Sequence, residues 1–167
     1  MLKLSEPFSR RAFFPLTLSA LTFPCANVAK GATPRQLQRL VRDWAAAQEE
    51  LNIDKLLALY AEDMSFEDPT YHLSVTNKTE YRELLLQSAP MYESVKFTFT
   101  SIRVSGNTAV AEHTLSARIK DLKNPTAKRK HVAIRGVSIF ETVDGKIKRH
   151  TDFFDVLTGR RQMSGKG

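Results

Sequence analysis

The chain has 167 residues, the length of one domain, and 42% of them are apolar, enough for one core. The formal charge of +7 invites a nucleic-acid reading, but the positions of the charges argue against it. Lys3, Arg10, Arg11 and Lys30 lie near the N-terminus, Arg160, Arg161 and Lys166 near the C-terminus, and one cluster spans Lys120 to Lys130. No aromatic–basic stripe of the kind used by single-strand binders joins them. Cys25 is the one cysteine, which excludes an intrachain disulfide.

Residues 1–32 stand apart from the domain. Ser9-Arg10-Arg11-Ala12-Phe13-Phe14 resembles the twin-arginine export motif. The apolar run that follows is interrupted by Pro15 and Pro24 and is too short for a permanent membrane span. The expectation is an export signal and a periplasmic or exported protein. A transit peptide, a disordered extension, a native helix packed on the domain and a cytoplasmic location remain open.

Thr33-Pro34 is a helix start, with Thr33 as N-cap and Pro34 in the first turn. Leu37, Leu40, Val41, Trp44 and Ala45 then recur at helical spacing. A short helix follows over Asp54 to Ala61, an extended segment from Met64 to Asp68, a loop from His72 to Lys78, and a helix over Thr79 to Ser88. After Pro90 the apolar period switches to two. Strands are predicted over Val95 to Val104, Thr108 to Lys120, His131 to Thr142 and Lys146 to Leu157. Gly106-Asn107 and Asp144-Gly145 supply turns, and Thr158 to Gly167 reads as a flexible basic tail. Helices followed by an antiparallel meander give an α+β domain over residues 33–157, with three N-terminal helices covering the concave face of a bent sheet.

Asp68 and Asp152 are the candidate acid/base groups. Pro69 forces Asp68 into an extended conformation between Phe66 and Tyr71, where burial favours a general base. The competing reading makes Asp68 a turn starter bonded to its own backbone. On the last strand, alternation places His150, Asp152 and Phe154 on one face, where a histidine beside a carboxylate suits proton relay. The competing reading pairs Asp152 with Arg149, Arg135 or Arg118 as a structural ion pair. Trp44, Phe66, Tyr71, His113 and Phe154 are the expected pocket wall. The four histidines show no metal-ligand spacing, so neither metal nor cofactor is expected.

The run LLALYAEDMSFEDPT resembles the helix-to-strand passage of ketosteroid isomerases, and RHTDFFD is similar to the terminal strand of epoxide hydrolases and SnoaL cyclases. Together they identify a resemblance to the cone-shaped, nuclear transport factor 2-like superfamily over about Arg35 to Leu157. That resemblance implies Asp68 as the isomerase base and Asp152 as the acid/base residue of the other two groups. The place of the isomerase's oxyanion tyrosine falls at Trp44, and that of its second donor near Gly136 or Val137. The epoxide-hydrolase places fall near Thr114, Ser116, Phe66 and Asp68, leaving Asp152 matched. A SnoaL-type cyclase asks only for an inward carboxylate and an apolar pocket. The implied activity is cyclase- or isomerase-like chemistry on a small apolar carbonyl compound, with a non-catalytic ligand-binding or assembly module as the alternative. A homodimer through the open sheet face is expected.

Overall fold

A computed structural model describes residues 32–164, so the twin-arginine-like segment lies outside the described residues. The first helix, α1 (Pro34–Glu49), begins at a reciprocal cap in which the Thr33 side chain accepts from the Gln36 N–H and the Gln36 side chain accepts from the Thr33 N–H. It buries Leu37, Val41, Trp44, Ala45 and Ala47. Helix α2 (Ile53–Leu57), capped by Asn52, is shorter than its apolar pattern suggested. Its continuation at Tyr60 is already strand β1 (Tyr60–Asp68). The segment read as a loop contains a short strand, β2 (Leu73–Val75), before α3 (Lys78–Ser88).

Strands β3 (Tyr92–Ser105), β4 (Thr108–Ile119), β5 (Lys130–Val143) and β6 (Lys146–Phe154) complete a six-stranded sheet of order β2-β1-β6-β5-β4-β3. The pairing of β1 with β6 is parallel and the other pairings are antiparallel. Asp144 and Gly145 both have positive φ, 50° and 74°, as the tight β5–β6 hairpin requires. Register shifts at Phe99/Ser101 and Glu141/Thr142 mark bulges, which increase local bend and twist. The sheet curls without closing, and α1, α2 and α3 cover its concave side, as expected. Trp44, Tyr60, Phe140 and Ile147 lie at the centre of the core between them.

The expected flexible tail is corrected over 158–164. Helix α4 (Val156–Ser164) forms there and packs on β5. Asp155 caps it, accepting from the Thr158 N–H at 3.0 Å and the Thr158 hydroxyl at 2.7 Å. The Gln162 side chain bonds both the N–H and the C=O of Ala133, at 2.8 and 3.1 Å. Gly159 lets the helix approach closely, since a Cβ there would sit 3.3 Å from Ile134 Cγ2.

Candidate active site

The concave side of the sheet encloses a cavity of about 600 Å³. Its wall is largely apolar and includes Trp44, Phe66, Tyr71, Tyr81, Phe97 and Phe154. Asp68 and Asp152 both line it, so the two expected carboxylates share one cavity. Two of the expected site residues are placed differently. His113 lies behind the wall, packed among Phe97, Phe99 and Phe154, and does not line the cavity. His150 is completely buried and also does not line it. It stacks on Phe140 at 4.5 Å between ring centres, and Trp44 and Phe66 close around it.

Alternation along β6 puts His150, Asp152 and Phe154 on the inner face, and the β5 partners opposite them are Phe140, Ser138 and Gly136. His113 stands opposite Gly136 on the next strand. Glycine is required at 136 for space: a Cβ there would lie 2.7 Å from the Phe154 ring and 2.8 Å from His113 Cε1. The inner rows of three strands therefore bring one serine, two histidines and one aspartate into a buried hydrogen-bonded chain.

Its directions follow from the donor at one end. An indole nitrogen can only donate, so Trp44 Nε1–H donates to Tyr60 Oη at 3.1 Å. Burial, with smaller contributions from Tyr81 and Asp152, raises the Tyr60 pKa well above its ordinary value, so its phenol keeps its proton. Tyr60 Oη lies 2.8 Å from His150 Nδ1 and is assigned as the donor there. His150 Nε2–H is then the donor to Asp152 Oδ1 at 2.9 Å. The Ser138 hydroxyl donates to the same oxygen at 2.5 Å. Ser138 Oγ in turn accepts from His113 Nε2–H at 2.9 Å. His113 is held neutral because burial lowers its pKa, which outweighs the opposing pull of Asp152. Its Nδ1 is left without a partner among the described residues.

Both donors to Asp152 converge on Oδ1, and the residue also forms part of the cavity wall. The alternative ion pairs do not form. Arg149 pairs with Glu67 and Glu141, and Arg118 pairs with Glu93. Asp68 is committed differently. Its Oδ1 accepts from the Thr70 and Tyr71 N–H groups at 3.0 and 3.2 Å, so the turn-forming reading applies even though the residue lines the cavity. Trp44 contributes a ring face to the wall, but its N–H is spent on Tyr60. Among the described residues no group of three or more metal-ligating side chains forms.

Sequence reasoning missed three participants. Ser138 lies in an unremarkable strand segment, and only register brings it opposite Asp152. Tyr60 falls within the predicted helix over Asp54 to Ala61. Tyr81, within the predicted helix over Thr79 to Ser88, lines the cavity with a phenol whose pKa is raised by burial.

A half-open sheet curled around an apolar cavity, with a hydrogen-bonded carboxylate in its wall, defines the cone-shaped nuclear transport factor 2-like class. The SnoaL-like domain profile matches residues 41–150, and the chain belongs to that family. A provisionally assigned SnoaL-like polyketide cyclase from Shewanella denitrificans is similar at 19% identity and a TM-score of 0.72, over 80% of this chain and 99% of that one. An epoxide hydrolase of the LEH-like type from M. tuberculosis is similar at 20% identity and a TM-score of 0.62, over 79% and 92% of the two chains. A provisionally assigned ketosteroid isomerase from Kribbella flavida is similar at 25% identity and a TM-score of 0.55, over 72% and 78%. The first two likenesses show the fold alone. No curated protein matches the chain.

Proposed function

We propose that this SnoaL-like protein is an acid/base enzyme of the cyclase or isomerase kind, acting on a small apolar carbonyl compound. The observation that carries the reading is Asp152, a carboxylate in an apolar cavity wall whose Oδ1 is fixed by Ser138 and His150. In this reading Asp152 removes a proton next to a carbonyl. His150 is a positioning residue, because it touches Asp152 and does not reach the cavity. Tyr81 is the protonated donor on the wall for the developing enolate oxygen. Asp68, tied to its own turn, forms part of the cavity wall and does no proton transfer in this reading.

The test is deuterium exchange at the carbon next to the carbonyl of flat, enolisable ketones, followed by NMR. The wild type should accelerate exchange, and Asp152→Asn should lose about 10²- to 10⁴-fold. Asp68→Asn, which keeps the Oδ1 acceptor, should retain most of the rate. Equal rates in wild type and Asp152→Asn would end the assignment. A non-catalytic ligand-binding module is the second reading, favoured by the commitment of Asp68 to its turn and of the Trp44 N–H to Tyr60. Ketone binding without exchange would establish it.

A further inference from the structure

Among the described residues, three charged side chains line the cavity: Asp68, Asp152 and Arg160. Arg160 is the one cation of that set, and it is exposed, which places it where the cavity opens to solvent. Among the described residues no carboxylate lies within ion-pairing distance of it. It stands near Tyr71, a half-exposed wall residue, and its charge opposes the upward pull that burial and Asp68 exert on that phenol.

The backbone that carries Arg160 is held in place. The Asp155 cap, the paired Gln162–Ala133 bonds and the close approach at Gly159 fix α4 against β5 on either side of it. Lys130 Nζ donates to the Met163 carbonyl at 2.7 Å, a further tie between β5 and the end of α4. Asp68 opposes the field of Arg160, and at Tyr71 its pull is the larger of the two, so the attraction of Arg160 for an anion is a contact effect at the guanidinium itself. A guanidinium with no ion-pair partner among the described residues, on a fixed helix at the rim of an apolar cavity, suits a carboxylate, sulfonate or enolate oxygen.

We propose that the ligand of this cavity is an amphiphile with an apolar body and one anionic end, and that Arg160 holds the anionic end at the mouth. The proposal rests on the reading of the cavity as a ligand site and names its ligand class. It needs no turnover to be tested. The probes are two fluorescent dyes of nearly equal shape, the anionic anilinonaphthalene sulfonate and the neutral N-phenylnaphthylamine. Affinities are measured for the wild type, Arg160→Gln, Arg160→Lys and Arg161→Gln. Arg161 carries the same charge one residue further on and does not line the cavity.

Arg160→Gln should weaken the anionic dye roughly tenfold and leave the neutral dye within about twofold, a local ion contact being of that size. Arg160→Lys should recover part of the loss, and Arg161→Gln should change little. Equal losses in Arg160→Gln and Arg161→Gln would reduce the effect to net charge and overturn the proposal. Neutral-dye binding with an unchanged anionic affinity in Arg160→Gln would overturn it while leaving the cavity as a ligand site. Failure of both dyes to bind the wild type would remove the ligand-site reading and the proposal with it.

Discussion

Ser138 is where the buried chain is most exposed to challenge. Its hydroxyl is fully buried, donates to Asp152 at 2.5 Å and accepts from His113 at 2.9 Å. In Ser138→Ala both bonds vanish together. The His113 N–H loses its partner, and Asp152 keeps one donor in place of two. Each buried group left unmatched costs about 1–3 kcal/mol, and the two losses share a centre, so a combined cost of about 2–4 kcal/mol is expected. At about 3–5 °C per kcal/mol for a domain of this size, the melting temperature should fall by roughly 6–20 °C. The assay is urea unfolding followed by circular dichroism, with thermal melts alongside. A double-mutant cycle with His113→Phe sharpens it, because His113→Phe removes the donor that Ser138→Ala would strand. The double variant should be more stable than the summed losses imply, by about 1 kcal/mol or more. A loss below about 0.5 kcal/mol in Ser138→Ala, or additivity in the cycle, would refute the hydrogen-bonded chain as described.

Two further outcomes follow from the same inner rows. Gly136→Ala drives a methyl to within 2.7–2.8 Å of the Phe154 and His113 rings. Overpacking of this kind costs about 1–3 kcal/mol and exceeds the gain of roughly 0.5–1 kcal/mol from replacing a strand glycine, so the melting temperature should drop, and a rise would contradict the geometry. His113 has a folded-state pKa below its unfolded value, so the unfolded chain takes up the proton first. Its contribution to stability is complete above about pH 6.5 and is lost as pH falls towards and through the folded pKa. Stability between pH 7 and 5 should therefore fall less steeply in His113→Gln than in wild type, and identical slopes would dismiss His113 as the titrating group.

Much of the fold is legible in local pattern. The capped, periodic α1, the switch to period two after Pro90 and the Asp144-Gly145 turn each specify their element through nearby residues. The same alternation puts His150 and Asp152 on one face of β6, where they are hydrogen-bonded. What escapes local reading depends on register and on distant partners. Ser138 and His113 reach the site because β4, β5 and β6 align as they do, and no short stretch of sequence encodes that alignment. Tyr60 continues the apolar pattern of α2, yet pairing with Ile147 draws it into a strand. The segment VLTGRRQMS has a glycine and two arginines and looks like a tail. It becomes a helix because Asp155 caps it and because it packs on β5, with Gly159 close against Ile134. Asp68 forms the turn of its competing sequence reading and also lines the cavity.

The strand order has a consequence for the birth of the protein. β6 follows every other strand in the sequence, yet it lies inside the sheet between β1 and β5. A chain emerging from the ribosome can assemble β3, β4 and β5 as a meander early, while β1 and β2 wait as an isolated pair. Their place in the sheet exists only after residues 146–154 have appeared, and closing that gap joins partners such as Phe66 and His150. Non-local pairing of this kind slows folding and leaves strand edges open in the meantime. The strand that carries Asp152 is thus also the keystone of the sheet: the candidate site and the completed fold arrive together.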